Sequence, residues 1–540
     1  MHHDGLSRFL NGGNGAMNVS KRMHFLAAAM VLVFASASFG ADINGTIKLG
    51  GVIVDEDAGD LSAMQETYNI YEGFSATQLR LGGNFSPKTY FTLNLNDINL
   101  DNRKSDFQFW VPGRFRFFTT YDQHRQVFDP DRVTNSNRKD LRFGAWFNPS
   151  EHFTLTADYD RQTRDGERVG FPIGTASELG DGYDDVLQTG KIEGELRKGQ
   201  RALSVAYDFS DYKDNGTDLR DRFGYVVSAR LRTPCFFTEK ITHLLRGAYG
   251  QREITNVDTD YTLQNFQYTG VLAMPERRLQ FKYNFYAGRV EDSATRLQTD
   301  NFRNNFDLTL FYPKGAVFGG FGYETNDDDR SLTSYQTYRV GGSFRGPKDL
   351  SAKVEYATRS KTDEEKLTLL QEDEVTNFFA KLQAAPAKDF VVGASYKDRQ
   401  RKFPDIGVES QGQAANCFGR YSYGGTWSVG VEYTYTDDGY DNRDGSSFET
   451  KSNIVTGRAY FERVKNLRLG GGLTYLDVGK DLDIEKSILF LEAMYTILND
   501  YSVEVKYNVY NYDDYLVLDR YYTANVVWIN VAYNFDFQHE

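Results

Sequence analysis

The chain has 540 residues, a formal net charge of −13 and a mean hydropathy of −0.56. It contains 36 Tyr, 40 Phe and 49 Gly but only 11 Pro and 4 Trp, which fits many half-exposed β-strands and excludes a disordered chain, since disordered chains are poor in aromatic residues. Its two cysteines exclude a disulfide framework and a Cys₄ zinc site, and the acidic balance argues against a nucleic-acid partner.

The first 40 residues are typical of an extension followed by a secretory signal peptide. Lys21-Arg22 precedes an apolar run from Phe25 to Ala37, and Ser38-Phe39-Gly40 supplies a small-x-small cleavage site. The run is shorter than the ~20 residues that a membrane-spanning helix needs. We therefore predict that residues 1–40 are an extension and signal peptide, and that residues 41–540 form a single exported domain.

The exported region alternates apolar and polar residues with period two almost throughout. Strict alternation over seven to ten residues predicts half-buried strands, with one face on an apolar medium and the other on water. Near residue 430 the apolar face carries Trp427, Val429, Val431, Tyr433 and Tyr435.

Turn signals divide these strands at regular intervals. Twelve short breaks alternate with longer polar connections rich in Asp, Asn and Thr, an asymmetry typical of outer-membrane barrels. With both termini at the end of the short turns, twelve such turns predict 26 strands, with an error of two. The short breaks centre on Pro87, Pro112, Pro149, Gly199, Pro234, Pro275, Pro313, Pro347, Pro386, Gly424, Lys465 and Asn499.

A soluble β-propeller is the alternative fold, because propellers also repeat at about 40 residues. Each repeat here holds two long strands rather than four short ones, and charged residues occupy alternate positions. The prediction is therefore an all-β, transmembrane, antiparallel up-and-down β-barrel in the bacterial outer membrane. Too few residues precede the break at Pro87 for a plug, and they are themselves expected to form strands of the wall, so the expected fold class has no plug domain.

Twenty-six strands predict a barrel about 50 Å across at the backbone, which inward side chains cannot fill. We expect another polypeptide to occupy this lumen. The predicted lumen-facing partner contacts carry both signs of charge, as expected for steering a protein partner. They are Arg142, Asp158, Asp208, Arg230, Arg232, Lys282, Lys353, Glu355, Glu432, Arg458, Glu504 and Lys506.

The last strand ends in alternating aromatic residues, Tyr533, Phe535 and Phe537. This ending resembles the sorting signal that the barrel-assembly machinery recognises in outer-membrane proteins. The chain departs from that pattern because Gln538-His539-Glu540 follows the final aromatic residue. An interfacial aromatic girdle predicts the same residues.

A signal peptide, about 26 strands, no plug and few cysteines together resemble the MtrB/PioB-type outer-membrane barrels, the porin components of porin–cytochrome conduits. The resemblance covers the mature chain and rests on architecture. It implies a barrel that sheathes a periplasmic multihaem c-type cytochrome, with a second cytochrome at the outer surface as a further partner. It also implies that this chain is not an enzyme and binds no cofactor, the haem being carried by the partner.

A diffusion channel for polar solutes is the alternative function. An outer-membrane phospholipase or protease is disfavoured, because the mature region has only four histidines and none is placed with catalytic partners. The acidic segments around Asp327–Asp329, Asp437-Asp438, Asp441, Asp444 and Asp513-Asp514 lack calcium-loop spacing, and they are expected to be solvated loops near lipopolysaccharide. Cys235 and Cys417 are predicted to be free thiols, the first in a periplasmic turn and the second facing lipid.

Overall fold

The protein forms one closed antiparallel sheet of 26 strands, in which every strand pairs with its chain neighbours and β1 pairs with β26. The computed structural model describes residues 42–59, 64–65, 68–127, 135–166, 183–215, 221–254, 259–328, 332–362, 373–403, 406–498, 500–515 and 521–537. The predicted signal peptide, Asp329, Asn499 and the last three residues lie outside these ranges. The number of strands agrees with the predicted number.

The strands run in chain order around the wall. Their bounds are β1 Asp42–Gly59, β2 Gly73–Ser86, β3 Thr89–Asn96, β4 Arg103–Val111, β5 Phe115–Val127, β6 Asn135–Ser150, β7 Phe153–Gly166, β8 Tyr183–Lys198, β9 Arg201–Asp214, β10 Arg222–Pro234, β11 Ile241–Ile254, β12 Thr259–Met274, β13 Leu279–Asp292, β14 Gln298–Tyr312, β15 Gly315–Asp327, β16 Leu332–Arg345, β17 Ser351–Lys361, β18 Glu374–Ala387, β19 Phe390–Phe403, β20 Val408–Tyr423, β21 Trp427–Asp441, β22 Ser447–Phe461, β23 Leu467–Lys480, β24 Ile484–Ile497, β25 Tyr501–Asp514 and β26 Tyr521–Phe537.

The short connections lie at one end of the barrel, and there are twelve of them, each two to six residues long. In several of them proline directly follows the strand, where its lack of an amide hydrogen costs the ladder no hydrogen bond. The β12–β13 turn is a short 3₁₀-helix, Pro275–Arg277. Beside it the Lys240 ammonium contacts Glu276 at 3.1 Å and lowers the pKa of that carboxyl group.

The opposite end carries thirteen connections of three to sixteen residues, the longest of them between β7 and β8. Here the predicted boundary between strand and loop is wrong in detail. Asp437, Asp438 and Asp441 belong to β21, because its hairpin with β22 continues without interruption to the pair Asp441–Ser447. Lys451 supports this extension from β22, at 3.3 Å from Asp437. Asp327 likewise belongs to β15, and Asp513 and Asp514 belong to β25. These outer extensions carry mainly polar residues on both faces. The alternation of apolar and polar residues that marks the rest of each strand is therefore missing, and the sequence does not show where the strand ends.

Part of the β1–β2 connection packs against the inner face of the wall. Met64 and Ile70 are only 0% and 2% exposed, and they form a cluster with Val52 of β1 and with Tyr522 and Val526 of β26. The sequence interpretation assigned this region to the wall, which is wrong for this segment. The reason is that the inner face of β26 is locally apolar. Met64 and Ile70 pack against it because this contact removes apolar surface from water on both sides.

A second apolar cluster lies on the outer face of the first strands. Ile43, Leu79, Leu81 and Leu95 are buried there and pack against Phe91. In most of the remaining wall the outward apolar side chains are exposed, as expected for groups that face lipid. Within the described part of the chain, no helix is long and apolar enough to cross a membrane.

Candidate functional site

The inner face of the wall is the candidate functional site, and the strand register identifies its residues. Residues paired across neighbouring strands share a face, so the assignment can be followed around the whole sheet. In β10, Leu231 pairs with Leu203 on the exposed apolar face, while Arg230 and Arg232 point to the opposite, polar face. In barrels of the outer-membrane type the apolar face is the outer one.

All twelve predicted partner contacts lie on this inner face. The register places each of them opposite inner-face residues of a neighbouring strand: Arg142, Asp158, Asp208, Arg230, Arg232, Lys282, Lys353, Glu355, Glu432, Arg458, Glu504 and Lys506. Their contact with a partner remains a prediction.

Several of these charges neutralise one another across the wall. The Arg142 guanidinium lies 3.1 Å from the Asp158 carboxylate. Arg230 reaches two carboxylates of β8, Glu193 at 3.3 Å and Glu195 at 3.6 Å. The two glutamates were not among the predicted site residues, although alternation in β8 would have identified them. On this side of the barrel the wall therefore supplies its own counter-charges.

Glu504 connects the strands around the closure of the barrel. Its carboxylate pairs with Lys48 of β1 and with Lys506 at 3.1 Å, and it accepts a hydrogen bond from Asn530 of β26 at 3.1 Å. Lys48 is also absent from the predicted set. These contacts reach across β26, so they help to hold the first and last strands together.

Glu324 is the centre of a further ion-pair group nearer the longer connections. Arg303 contacts it through two hydrogen bonds of 2.9 Å, and Arg359 approaches it at 3.3 Å. The Arg359 guanidinium also lies over the ring of Tyr335 at 3.9 Å. Four strands, β14 to β17, are joined by these side chains, none of which was predicted as a site residue.

Aromatic rings lie across glycines at five cross-strand pairs of the inner face. The partners are directly opposite in the ladder, so the ring covers backbone that has no side chain of its own. Arginines lie over several of these rings, for example Arg339 at 5.3 Å from the centre of Phe318. The pairs are Phe118–Gly144, Phe318–Gly341, Phe418–Gly393, Tyr460–Gly470 and Phe490–Gly472.

The three predicted residues of the assembly signal lie on the outer face of β26. The ring centres of Tyr533 and Phe535 are 5.9 Å apart, and those of Phe535 and Phe537 are 5.4 Å apart. Phe535 is buried because it lies opposite Gly45 and fills the space beside Leu81. Recognition by the assembly machinery stays a prediction.

Cys235 lies in the β10–β11 turn and Cys417 on the outer face of β20, and both are free thiols. In the described ranges, no group of three or more His, Cys, Asp and Glu side chains could hold a metal ion. In the β21–β22 connection, hydrogen bonds from Ser446 lower the pKa of the Asp444 carboxyl group.

No protein-family model and no curated protein matches this chain. Among solved structures it is similar to a mutant of the ferric enterobactin receptor PfeA from Pseudomonas aeruginosa, with 8% identity, a TM-score of 0.53, and coverage of 92% of this chain and 80% of that chain. The chain folds as an outer-membrane-type β-barrel. At such identity the likeness shows the fold alone.

Two further similarities have TM-scores of 0.49. The siderophore receptor PirA from Pseudomonas aeruginosa is 11% identical, with coverage of 78% of this chain and 80% of that chain. The FrpB iron transporter from Neisseria meningitidis is 9% identical, with coverage of 91% and 81%. The three similar proteins are receptors or transporters rather than enzymes, and none of the three is an MtrB/PioB-type barrel.

One part of the predicted fold class, the absence of a plug domain, is wrong. The matching structure is that of a ferric enterobactin receptor, and large outer-membrane transporters of 22 strands hold a plug in the lumen. The inward packing of Met64 and Ile70 also shows that the chain contributes to its own lumen. The supported fold class is an all-β, closed, antiparallel barrel of 26 strands, and freedom from a plug is not part of it.

Proposed function

We propose that this protein is a bacterial outer-membrane barrel that sheathes and positions a multihaem c-type cytochrome, so that electrons cross the membrane along the partner's haems. The observation that carries this proposal is the closure of 26 strands into one wall. At ~4.8 Å between strands and a tilt near 40°, the wall encloses a lumen about 50 Å across at the backbone. Such a width accommodates a folded polypeptide.

The chemistry of the inner face supports a protein guest. It carries arginine, lysine, aspartate and glutamate side chains together with aromatic rings, and complementary charges of both signs steer and orient protein partners. A complete ring of a single sign around the wall would instead indicate a filter for one kind of ion. The chain has no CxxCH motif, so in this proposal the haem belongs to the cytochrome.

Purification from the native host in mild detergent tests the proposal. We expect the barrel to co-purify with a haem-staining protein at a fixed ratio. The double variant Arg232→Glu and Lys282→Glu, which reverses two exposed inner-face charges, should lose that protein. The matched double variant Lys240→Glu and Lys314→Glu changes two short-turn lysines and should keep it. A barrel that emerges colourless, without any haem protein, would overturn the proposal.

A diffusion channel for polar solutes is the second candidate. It is favoured by the ion pairs within the wall, such as Arg142–Asp158 and Arg230–Glu193, which leave those charges satisfied while facing water. Conductance of the purified barrel in planar bilayers, in the absence of haem, would support this function. The fold likeness to ferric siderophore receptors does not carry siderophore uptake to this chain.

A further inference from the structure

Six cationic side chains lie on the inner face of strands β17, β18, β19, β20 and β22, and all six are exposed to the lumen. We call this set the basic strip. Its members are Lys353, Lys381, Lys397, Arg399, Arg420 and Arg458.

Carboxylates on this part of the wall are too few to neutralise the basic strip. Glu355 contacts Lys353 at 2.9 Å, and Glu432 lies 4.0 Å from Arg420. Nearer the longer connections, Asp438 of β21 also faces inwards, and Asp373 is already shared by Arg359 and Arg401.

The other four members, Lys381, Lys397, Arg399 and Arg458, form no ion pair with any residue that the structure describes.

The register brings like charges together in the basic strip. Lys353 and Lys381 are direct cross-strand partners, an arrangement that destabilises a sheet. The ring of Phe379, opposite Lys397, contacts Lys353 at 5.5 Å and accommodates part of that charge. On the other side of the barrel, Lys191 is the direct partner of Asp208, an opposite charge. The wall thus concentrates positive charge along one side.

Cations held in a water-filled cavity attract mobile anions, because a wall of one sign raises the local concentration of counter-ions. The attraction extends over ~30 Å in 0.01 M salt but only ~3 Å in 1 M salt. In a lumen about 50 Å across, the basic strip therefore acts on much of the aqueous path only at low ionic strength.

We propose that the basic strip is an anion-binding surface that makes the barrel select small inorganic anions over cations. The inference concerns the wall itself and is independent of the cytochrome proposal. A colourless barrel that prefers chloride would overturn the cytochrome sheath and leave the anion-binding surface standing.

Reversal potentials of the purified full-length barrel in planar bilayers test this, with a tenfold KCl gradient and chloride as the probe. We expect chloride permeability to exceed potassium permeability, with the ratio rising as the mean KCl concentration falls. The triple variant Lys381→Gln, Lys397→Gln and Arg399→Gln should lower the ratio about twofold or more at low salt.

The matched control removes the same charge from the same region of the chain but outside the lumen. The triple variant Lys348→Gln, Lys388→Gln and Lys465→Gln changes three short-turn residues, and we expect its permeability ratio to equal that of the unmodified barrel. Heat-modifiable migration on denaturing gels verifies folding of both variants. Four results would each overturn the proposal. They are a preference for potassium, a chloride-to-potassium permeability ratio of one at low salt, equal effects of the two triple variants, and the absence of any current.

Discussion

The ring of Phe118 lies across Gly144 on the inner face of the wall, where the two residues are direct partners in the β5–β6 ladder. A Cβ atom at position 144 would lie 2.2 Å from two carbon atoms of that ring. The guanidinium of Arg142 lies over the same ring, 5.4 Å from its centre. The absence of a side chain at position 144 therefore leaves the space that the ring occupies.

Gly144→Val should destabilise the barrel by about 1–3 kcal/mol, because the added side chain displaces the Phe118 ring from a filled site. Urea unfolding followed by gel migration measures the change. Gly457→Val is the matched control, since nothing lies within 4 Å of a Cβ atom there, and it should leave the unfolding midpoint unchanged. Equal midpoints for the two variants would contradict this packing.

Glu504→Gln should weaken the closure between β1 and β26. The Glu504 side chain is 13% exposed and serves Lys48, Lys506 and Asn530 together, so we expect a loss of about 1–3 kcal/mol in the free energy of unfolding.

Glu432→Gln is the control for that experiment. Glu432 is 47% exposed and lies 4.0 Å from Arg420, so its loss should cost under about 1 kcal/mol. The free energies of unfolding of both variants are to be measured by urea titration. If Glu432→Gln proves the more destabilising, Glu504 does not hold the closure.

Met64→Ala should release the β1–β2 connection from the inner face. The substitution leaves a cavity beside Val52 and Val526, at a typical cost of about 2–5 kcal/mol for a buried methionine. We expect proteinase K to cut the connection in the variant, with mass spectrometry locating the cut. Ile53→Ala, on the outer face and 54% exposed, should leave the digestion pattern unchanged. Unchanged resistance in Met64→Ala would show that the segment is held by other contacts.

Cys235 and Cys417 should report opposite environments. Nitroxide labels are attached to each cysteine in turn, in the single variants Cys417→Ser and Cys235→Ser reconstituted into liposomes. The label at Cys417 should collide mainly with oxygen, which dissolves in lipid, because the residue pairs with Ala394 and Tyr433 on the outer face. The label at Cys235 should collide mainly with a water-soluble nickel chelate. Reversed accessibilities would mean that inner and outer faces are exchanged in β20.

The sequence by itself determined the number of strands, the end at which the short turns lie and the face of the twelve charged residues that it assigned to the lumen. These properties are local: side chains alternate with period two, and turns carry Pro, Gly and Asn. Arg142, Lys282 and Glu504 were therefore assigned to the inner face without knowledge of their neighbours.

Tertiary structure alone decided which of those residues meet. The pairing of Arg230 with Glu193, the opposition of Lys353 and Lys381, and the packing of Met64 on Val526 depend on how strands are staggered and on where a connection folds back. The stagger of the strands and the folding back of the connection are set by contacts between residues far apart in the chain. The alternation of apolar and polar residues contains no information about such contacts.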